Sequence, residues 1–307
     1  MIAAIICGAT ATGKSEIAYK LARANGFEII SADSRQIYQG MDIGTGQVGP
    51  DWKKEVPHHF MGIVPPTQPY SVDRYRKEVT AFLGQNREKT FIVAGGTGLY
   101  IKALLYPQKK ERKPVPEEIK IIAARKLQDL GSDAVYRELQ KRDPEVAGNI
   151  HPHDRFRLSK AYENFLLTGK SYRDYGFKQE KHPMFERIPI IHIHIERSRL
   201  YKRINQKVEQ MIEDGWIDEV RNLLRDNPGA ELPGLNALGY SWIIDHVQGK
   251  TSIREVIAKI QQNTRNYAKK QVTFFKNQFS GARIMDYFQW SKTLESAQWK
   301  WTYEKEE

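Results

Sequence analysis

Cysteine is nearly absent: Cys7 is the only one in 307 residues. One thiol cannot build a disulfide framework within a chain, which fits a reducing compartment, and the cytoplasm is expected. Cys7 lies in an apolar run, so packing is expected of it rather than reactivity. Long apolar runs are missing too. None approaches the roughly 20 residues that span a bilayer, so no membrane role is expected. No basic stretch precedes the first apolar run, so the start does not read as a signal peptide. Acidic residues are in short supply, 37 against 48 Lys and Arg, for a net charge of +11. That excess points to an anionic macromolecular partner. Metal-ligand sets are lacking as well. His192 and His194 alternate with isoleucines on one strand, and His58-His59 and His151-Pro152-His153 are further pairs. None has a third ligand at zinc-like spacing, so they read as polar positions.

What is present begins with Gly8-Ala9-Thr10-Ala11-Thr12-Gly13-Lys14-Ser15, directly after the apolar run IAAIIC. The pattern G-x-x-x-x-G-K-[ST] between a strand and a helix is a P-loop. Backbone N–H groups cradle a polyphosphate, the helix dipole adds positive potential, Lys14 reaches the outer phosphate and Ser15 sits on Mg²⁺. By motif alone this is a nucleotide- or ATP-binding signature, and it leaves open which polyphosphate is held.

Strand and helix alternate over the first hundred residues. Strands are expected at Met1–Cys7, Phe27–Ser31, His59–Val64 and Thr90–Ala94, and helices at Lys14–Asn25 and from the Ser71 N-cap to Asn86. This predicts an α/β fold with a P-loop NTPase-like, doubly wound parallel sheet. A basic, proline-broken linker follows at Pro107–Pro116. The pattern is then helical from Glu117 to about Arg173, and a strand returns at Arg187–Ile195. The reading is a P-loop core of residues 1–108 and 187–307 with a helical insertion at 109–186. Helices are expected at Ser198–Asp214, Ile217–Asp226 and Ser252–Asn277. The last carries six basic residues (Arg254, Lys259, Arg265, Lys269, Lys270, Lys276) and one acid, Glu255. A stripe of Ile253, Val256, Ile257, Ile260, Tyr267, Val272 and Phe275 should be its buried side, with a cationic face outside. The tail after Trp290 is too mixed to read.

In an open α/β sheet, ligands bind beyond the carboxyl ends of the strands. Gly8–Ser15, Asp33-Ser34 and Gly95-Gly96-Thr97 end successive strands and should face one crevice. TFIVA ends in glycines rather than a metal-holding Asp, so Asp33 is free to act as a base. A nucleotide kinase stays open at this point.

The blocks GATATGKS, IISADSRQIYQGMDIGTG, PHHF, YSVDRYR, VAGGTGLYIKALL, IHPHDRFRLSKAYE, LTGKS, ERSRLYKRINQKVEQMIEDGWIDEV, ALGYSW and TRNYAKKQVTFFK occur in this order over nearly the whole chain. Together they closely resemble the tRNA dimethylallyltransferases (tRNA isopentenyltransferases). The resemblance implies a donor, dimethylallyl diphosphate, with Mg²⁺ as cofactor. The implied acceptor is the exocyclic amine of the adenine just 3′ of the anticodon, and the implied partner is the tRNA anticodon stem-loop, gripped by the insertion of a monomer. It assigns Asp33 as base, Thr97 to positioning the amine, and Lys14 and Arg203 to the leaving diphosphate. It carries RNA contacts to Asp33, Ser34, Arg35, Gln36 and Thr97, to Arg157 and Lys160, to Gly239 and Tyr240, and to Lys269, Lys270, Gln271 and Lys276. Departures from the usual pattern are Gln47 for Lys, Phe274 for Trp, and Lys160, Lys207, Lys270 and Lys276 for Arg. The lysines lose planar two-point phosphate recognition. Rival readings are an adenylate isopentenyltransferase acting on free AMP, ADP or ATP, a P-loop kinase or ATPase, and an RNA-binding module with a relic loop. The insertion and the basic helix favour tRNA over a free nucleotide, which needs neither.

Overall fold

The apolar run Ile2–Gly8 forms β1, with all but one residue buried. Such a run, without polar alternation, suits a strand covered on both faces. It is followed by α1 (Lys14–Asn25), β2 (Glu28–Ser31), two short helices α2 (Asp42–Thr45) and α3 (Pro50–Glu55), β3 (His58–His59), α4 (Val72–Gln85), β4 (Phe91–Gly95) and α5 (Gly98–Leu105). After an excursion come β5 (Ile190–His194), α10 (Arg197–Glu213), α11 (Trp216–Asp226), α12 (Tyr240–Val247), α13 (Ile253–Gln278) and β6 (Arg283–Asp286). The excursion holds α6 (Glu117–Asp129), α7 (Gly131–Arg142), α8 (Pro144–Gly148) and α9 (Arg155–Thr168). This computed structural model describes residues 1–109, 115–169, 177–178 and 180–290. Parts of the linker, the helical reading beyond Gly169 and the tail after Trp290 lie outside the described residues.

The strands form one sheet in the order β3-β2-β4-β1-β5-β6, and every pairing is parallel. β1 lies between β4 and β5, with Ile5 opposite both Val93 and Ile190. Ile17, Leu21 and Ala22 of α1, Leu200 and Ile204 of α10 and Ala268 of α13 join the sheet side chains in one core. Cys7 is also buried, and burial pushes its thiol pKa up to about 12, so it packs as an apolar group.

Two expectations change, and one further strand appears. The third strand is shorter than expected and starts earlier, at His58–His59. Phe60 and Gly62 adopt left-handed φ of 60° and 61°, which turns the chain out of the ladder. The Phe60 ring is buried edge-on against Tyr75 and Phe82, which offsets that strain. β6 has no sequence signature, since its Ile284 is exposed; pairing with β5 creates it. His192 does not share a solvent face with His194. It is 6% exposed and packs on Phe275, with ring centroids 5.4 Å apart, while His194 is exposed.

The chain divides into two units, one of Met1–Leu105 with Pro183–Glu307 and one of Tyr106–His182. The second closes its own core of Leu127, Val135, Leu139, Leu158 and Tyr162. Asp143 and Asp154 cap α8 and α9 by accepting from Val146 N–H and Arg157 N–H.

Burial of His192 brings its pKa down to about 4. The unfolded chain therefore binds a proton at His192 below about 6.5 that the folded chain refuses, and stability is lost as pH falls from there toward 4. Urea unfolding at pH 7.5 and pH 4.5 should show a loss about 2–3 kcal/mol smaller in His192→Leu than in the parent chain. An equal loss in both proteins would contradict this.

Candidate functional site

The phosphate-loop geometry is set by three backbone positions. A Cβ on Gly8 would lie 2.9 Å from the Ile193 carbonyl oxygen. Gly13 takes φ 85°, and Ala11, although not glycine, takes φ 60°. This turns the Ala11 carbonyl toward α10, where it accepts from Arg203 Nε at 3.0 Å. The Thr12 hydroxyl closes the loop on the Ala9 carbonyl at 2.8 Å. Lys14 opens α1 and is half-buried, with Nζ 3.4 Å from the same carbonyl. Desolvation lowers its pKa, and the Asp33 carboxylate partly opposes that.

The facing wall is built by β2 and β4. A Cβ on Gly95 would come within 2.1 Å of the Ala32 carbonyl oxygen, so the two strand ends meet only with glycine there. Thr97 N–H donates to that carbonyl at 3.1 Å, and Ser34 N–H donates to the Thr97 hydroxyl at 3.0 Å. The Thr97 hydroxyl donates in turn to Ser34 Oγ at 3.2 Å. Asp33 Oδ1 accepts from the N–H groups of Arg35 and Gln36 at 2.9 and 3.5 Å, an Asx turn that fixes the carboxylate. Among the described residues no donor reaches its Oδ2.

Lys14 and Asp33 line one cavity of about 330 Å³, with Ser34, Arg35 and Gln36 on its polar side and Ile204, Val208, Met211, Leu238 and Ile260 on its apolar side. An adjoining opening of about 540 Å³ is lined by Lys14, Ser15, Trp52, Arg203 and Lys207. Two of the three expected strand ends, Gly8–Ser15 and Asp33-Ser34, thus line one cavity, while Gly95-Gly96-Thr97 is not among its lining and instead braces the second through Thr97 and Ser34. Lys207, read from sequence only as a departure from Arg, lines both spaces. Desolvation first, then the Lys14 charge, brings its pKa down to about 8. Its signal was available: it lies four residues after Arg203, on the same face of a helix. The two spaces thus present four cations, Lys14, Arg35, Arg203 and Lys207, against the carboxylates of Asp33 and Glu16, an arrangement suited to a small polyanion.

Other expected residues fall elsewhere. Gln271 is 7% exposed, and both ends of its amide are used inside the protein. Its oxygen accepts from Thr10 N–H at 2.9 Å and its nitrogen donates to the Gly96 carbonyl at 2.8 Å. It ties the phosphate loop to the end of β4 and also lines the cavity. Tyr240 is fully buried, with its hydroxyl donating to Glu219 at 2.7 Å. Gly239 takes φ 100°, with the Trp216 ring against it. Both belong to the core rather than to a surface. Tyr267 leaves the expected buried stripe: it is 40% exposed and lines the cavity. Lys269, Lys270 and Lys276 are exposed on α13. Arg157 and Lys160 lie on α9 in the helical unit, where Lys160 pairs with the buried Glu163 at 2.7 Å. Among the described residues no group of three His, Cys, Asp or Glu could hold a metal ion.

Comparison with known proteins follows the same lines. The family model described as IPP transferase matches residues 36–278, and that described as isopentenyl transferase matches residues 1–56. The tRNA dimethylallyltransferase of Geobacillus kaustophilus is 38% identical over 277 residues, 90% of this chain and 87% of that protein. The protein of that name from Fusobacterium nucleatum is 39% identical over 276 residues, 89% of this chain and 88% of its own. The crystal structure of a tRNA isopentenylpyrophosphate transferase from Staphylococcus epidermidis matches with a TM-score of 0.65 at 31% identity, over 96% of each chain. A eukaryotic dimethylallyltransferase shares the fold, with a TM-score of 0.76 at 22% identity over 95% of this chain and 75% of its own. The phosphate loop, the facing carboxylate and these relatives agree, and the chain belongs to the IPP transferase family, that of the tRNA dimethylallyltransferases.

Proposed function

We propose that this protein transfers the dimethylallyl group of dimethylallyl diphosphate to the exocyclic N6 amine of the adenine just 3′ of the anticodon in tRNA, releasing diphosphate. The observation that carries this reading is that Lys14 and Asp33 line one cavity that also has an apolar side of Ile204, Val208, Met211, Leu238 and Ile260. The apolar side fits a five-carbon prenyl chain, and the cationic end fits its diphosphate. As the allylic C–O bond breaks, charge accumulates on the diphosphate. The loop amides, Lys14, Arg203 and Lys207 stabilise it where it develops. The adenine amine is a weak nucleophile because its lone pair is delocalised into the ring. Asp33 Oδ2, which no donor reaches among the described residues, accepts the amine proton as the C–N bond forms. Thr97 holds Ser34, and so the turn that carries Asp33, in place. An unpaired loop adenine enters at least cost.

The residues also fit Mg²⁺. This ion is usually held by one or two protein oxygens together with substrate phosphates. The Ser15 hydroxyl beside Lys14 supplies one such oxygen, and there is no dedicated carboxylate cage among the described residues. Bound there, the ion would screen the charge of the departing diphosphate. Exposed Lys269, Lys270 and Lys276 on α13 and Arg157 on α9 are the cations that would contact RNA phosphates, the latter from the helical insertion. Work in the cytoplasm as a monomer completes the reading.

Incubating tRNA with the protein, dimethylallyl diphosphate and Mg²⁺, then analysing nucleosides by mass spectrometry, should show one prenyl group added to adenosine. Prenylated AMP with unmodified tRNA would favour the free-nucleotide reading, and phosphoryl transfer from ATP alone would overturn both. Asp33→Asn keeps the shape but cannot accept a proton at neutral pH. Donor and tRNA should bind nearly as before while the single-turnover rate falls roughly 10²–10⁴-fold, the usual contribution of a general base. Weakened donor binding at an unchanged rate would remove Asp33 from that role.

Affinity for tRNA should fall steeply with salt, with a slope of about −0.7 to −0.9 in log K against log salt per phosphate neutralised. Replacing Lys269 and Lys270 with Ala should flatten the slope without changing donor affinity, and Arg157→Ala should do the same from the helical unit. A slope that does not move would take the altered residue out of the RNA face.

A further inference from the structure

The reaction as described leaves Glu219 unused, yet this half-buried carboxylate on α11 is among the most heavily hydrogen-bonded groups near the cavity. Oε2 accepts from Ile43 N–H at 2.6 Å, and Oε1 accepts from Gly44 N–H at 3.1 Å and from the Tyr240 hydroxyl at 2.7 Å. The two amides belong to α2, whose Gly44 and Thr45, with the Gly46 that follows it, line the cavity. Trp216 presses the same segment from behind. A Cβ on Gly44 would lie 2.0 Å from its Nε1, and a Cβ on Gly239 would lie 2.3 Å from its ring. The other side of α2 meets the Asp33 turn. Gln36 Nε2 donates to the carbonyls of Thr45 and Gly46 at 3.3 and 2.9 Å, and Gln36 N–H reaches Asp33 Oδ1 at 3.5 Å. A continuous path therefore runs from Glu219 through α2 and Gln36 to Asp33.

We propose that Glu219 is a positioning residue for the transfer reaction: its carboxylate clamps the Ile43 and Gly44 amides and holds α2 against Gln36, which fixes the reach of Asp33 into the cavity. This rests on the transferase reading. The residue type follows from the donors. A carboxylate offers two accepting oxygens to two diverging N–H groups, whereas a carboxamide offers one oxygen and one NH₂. Glutamine would set a donor against a donor and release one amide. Removing the Tyr240 hydroxyl leaves both amides accepted.

The test combines kinetics with amide exchange. Glu219→Gln should lower the single-turnover rate roughly 10- to 100-fold, the scale expected of a small misplacement of a reacting group, with donor affinity changed far less. It should also speed hydrogen exchange at Ile43 and Gly44. Tyr240→Phe should slow transfer less than threefold, on the order of one weakened contact. Because Gln36 and Glu219 act through one segment, Glu219→Gln combined with Gln36→Ala should be about as slow as the slower single variant. Rate losses that multiply, or a wild-type rate in Glu219→Gln, would overturn the proposal. If Glu219→Gln fails to fold, Glu219→Asp, which keeps the charge but is one methylene short, replaces it with the same expected and overturning results. If the parent chain transfers no prenyl group, the transferase reading fails. Exchange at Ile43 and Gly44 then decides the clamp by itself, and unchanged exchange in the variant would overturn it.

Discussion

The contact between Gly95 and Ala32 is the constraint on which the site depends. The carboxyl ends of β2 and β4 converge so closely that no side chain fits at Gly95. With that approach made, Thr97 N–H reaches the Ala32 carbonyl, and the Thr97 hydroxyl receives Ser34 N–H. The turn carrying Asp33 is thereby fixed to the end of a neighbouring strand. The phosphate loop leaves β1, which lies on the other side of β4. Parallel pairing sends all three strand ends to one edge of the sheet, and that edge is where α/β folds bind ligands. Widening the β2–β4 contact would shift Asp33 relative to Lys14 without altering either residue.

The charge arrangement follows from the same packing. Lys14 and Lys207 are both desolvated, which lowers their pKa values; the Lys14 charge lowers that of Lys207 further, and Asp33 partly opposes the shift at both. Arg203 is held by the Ala11 carbonyl and lies over the Tyr287 ring, with its carbon 4.4 Å from the ring centre. Four cations lining these spaces, Lys14, Arg35, Arg203 and Lys207, face only the carboxylates of Asp33 and Glu16, and an anion of two or more charges offsets the excess directly. On the proposed reading, this excess of positive charge would favour a diphosphate before any contact with the prenyl chain.

Helix α13 serves two purposes that its sequence does not separate. Its outer side carries exposed lysines. Its inner side carries Val256, Ile260, Ala268 and Phe275, together with Gln271, which bridges the phosphate loop and Gly96. Glutamine is needed there because it must accept from one backbone group and donate to another, which neither a charged nor an apolar side chain does. The helix that would meet RNA outside thus braces the phosphate loop inside.

Local sequence determined much of this protein. The glycine spacing of GATATGKS defines the phosphate loop, because backbone turns depend on residue type at close range. Uninterrupted apolar runs gave β1 and β4, isoleucines alternating with histidines gave β5, and Ser252 with Glu255 caps α13 as a pair. Family resemblance named Asp33, Thr97 and Arg203 without showing where they lie. Tertiary structure decided the remainder. Gln271 and Tyr240 look like accessible polar residues in sequence and are buried because neighbouring elements supply their partners. β6 exists because β5 offers an unpaired edge. Lys207 joins the phosphate end because the helical turn from Arg203 points it there. Glu219 gained its importance from amides 175 and 176 residues away. Hydrogen bonds and desolvation between distant segments leave no local pattern, so only the folded chain reveals them.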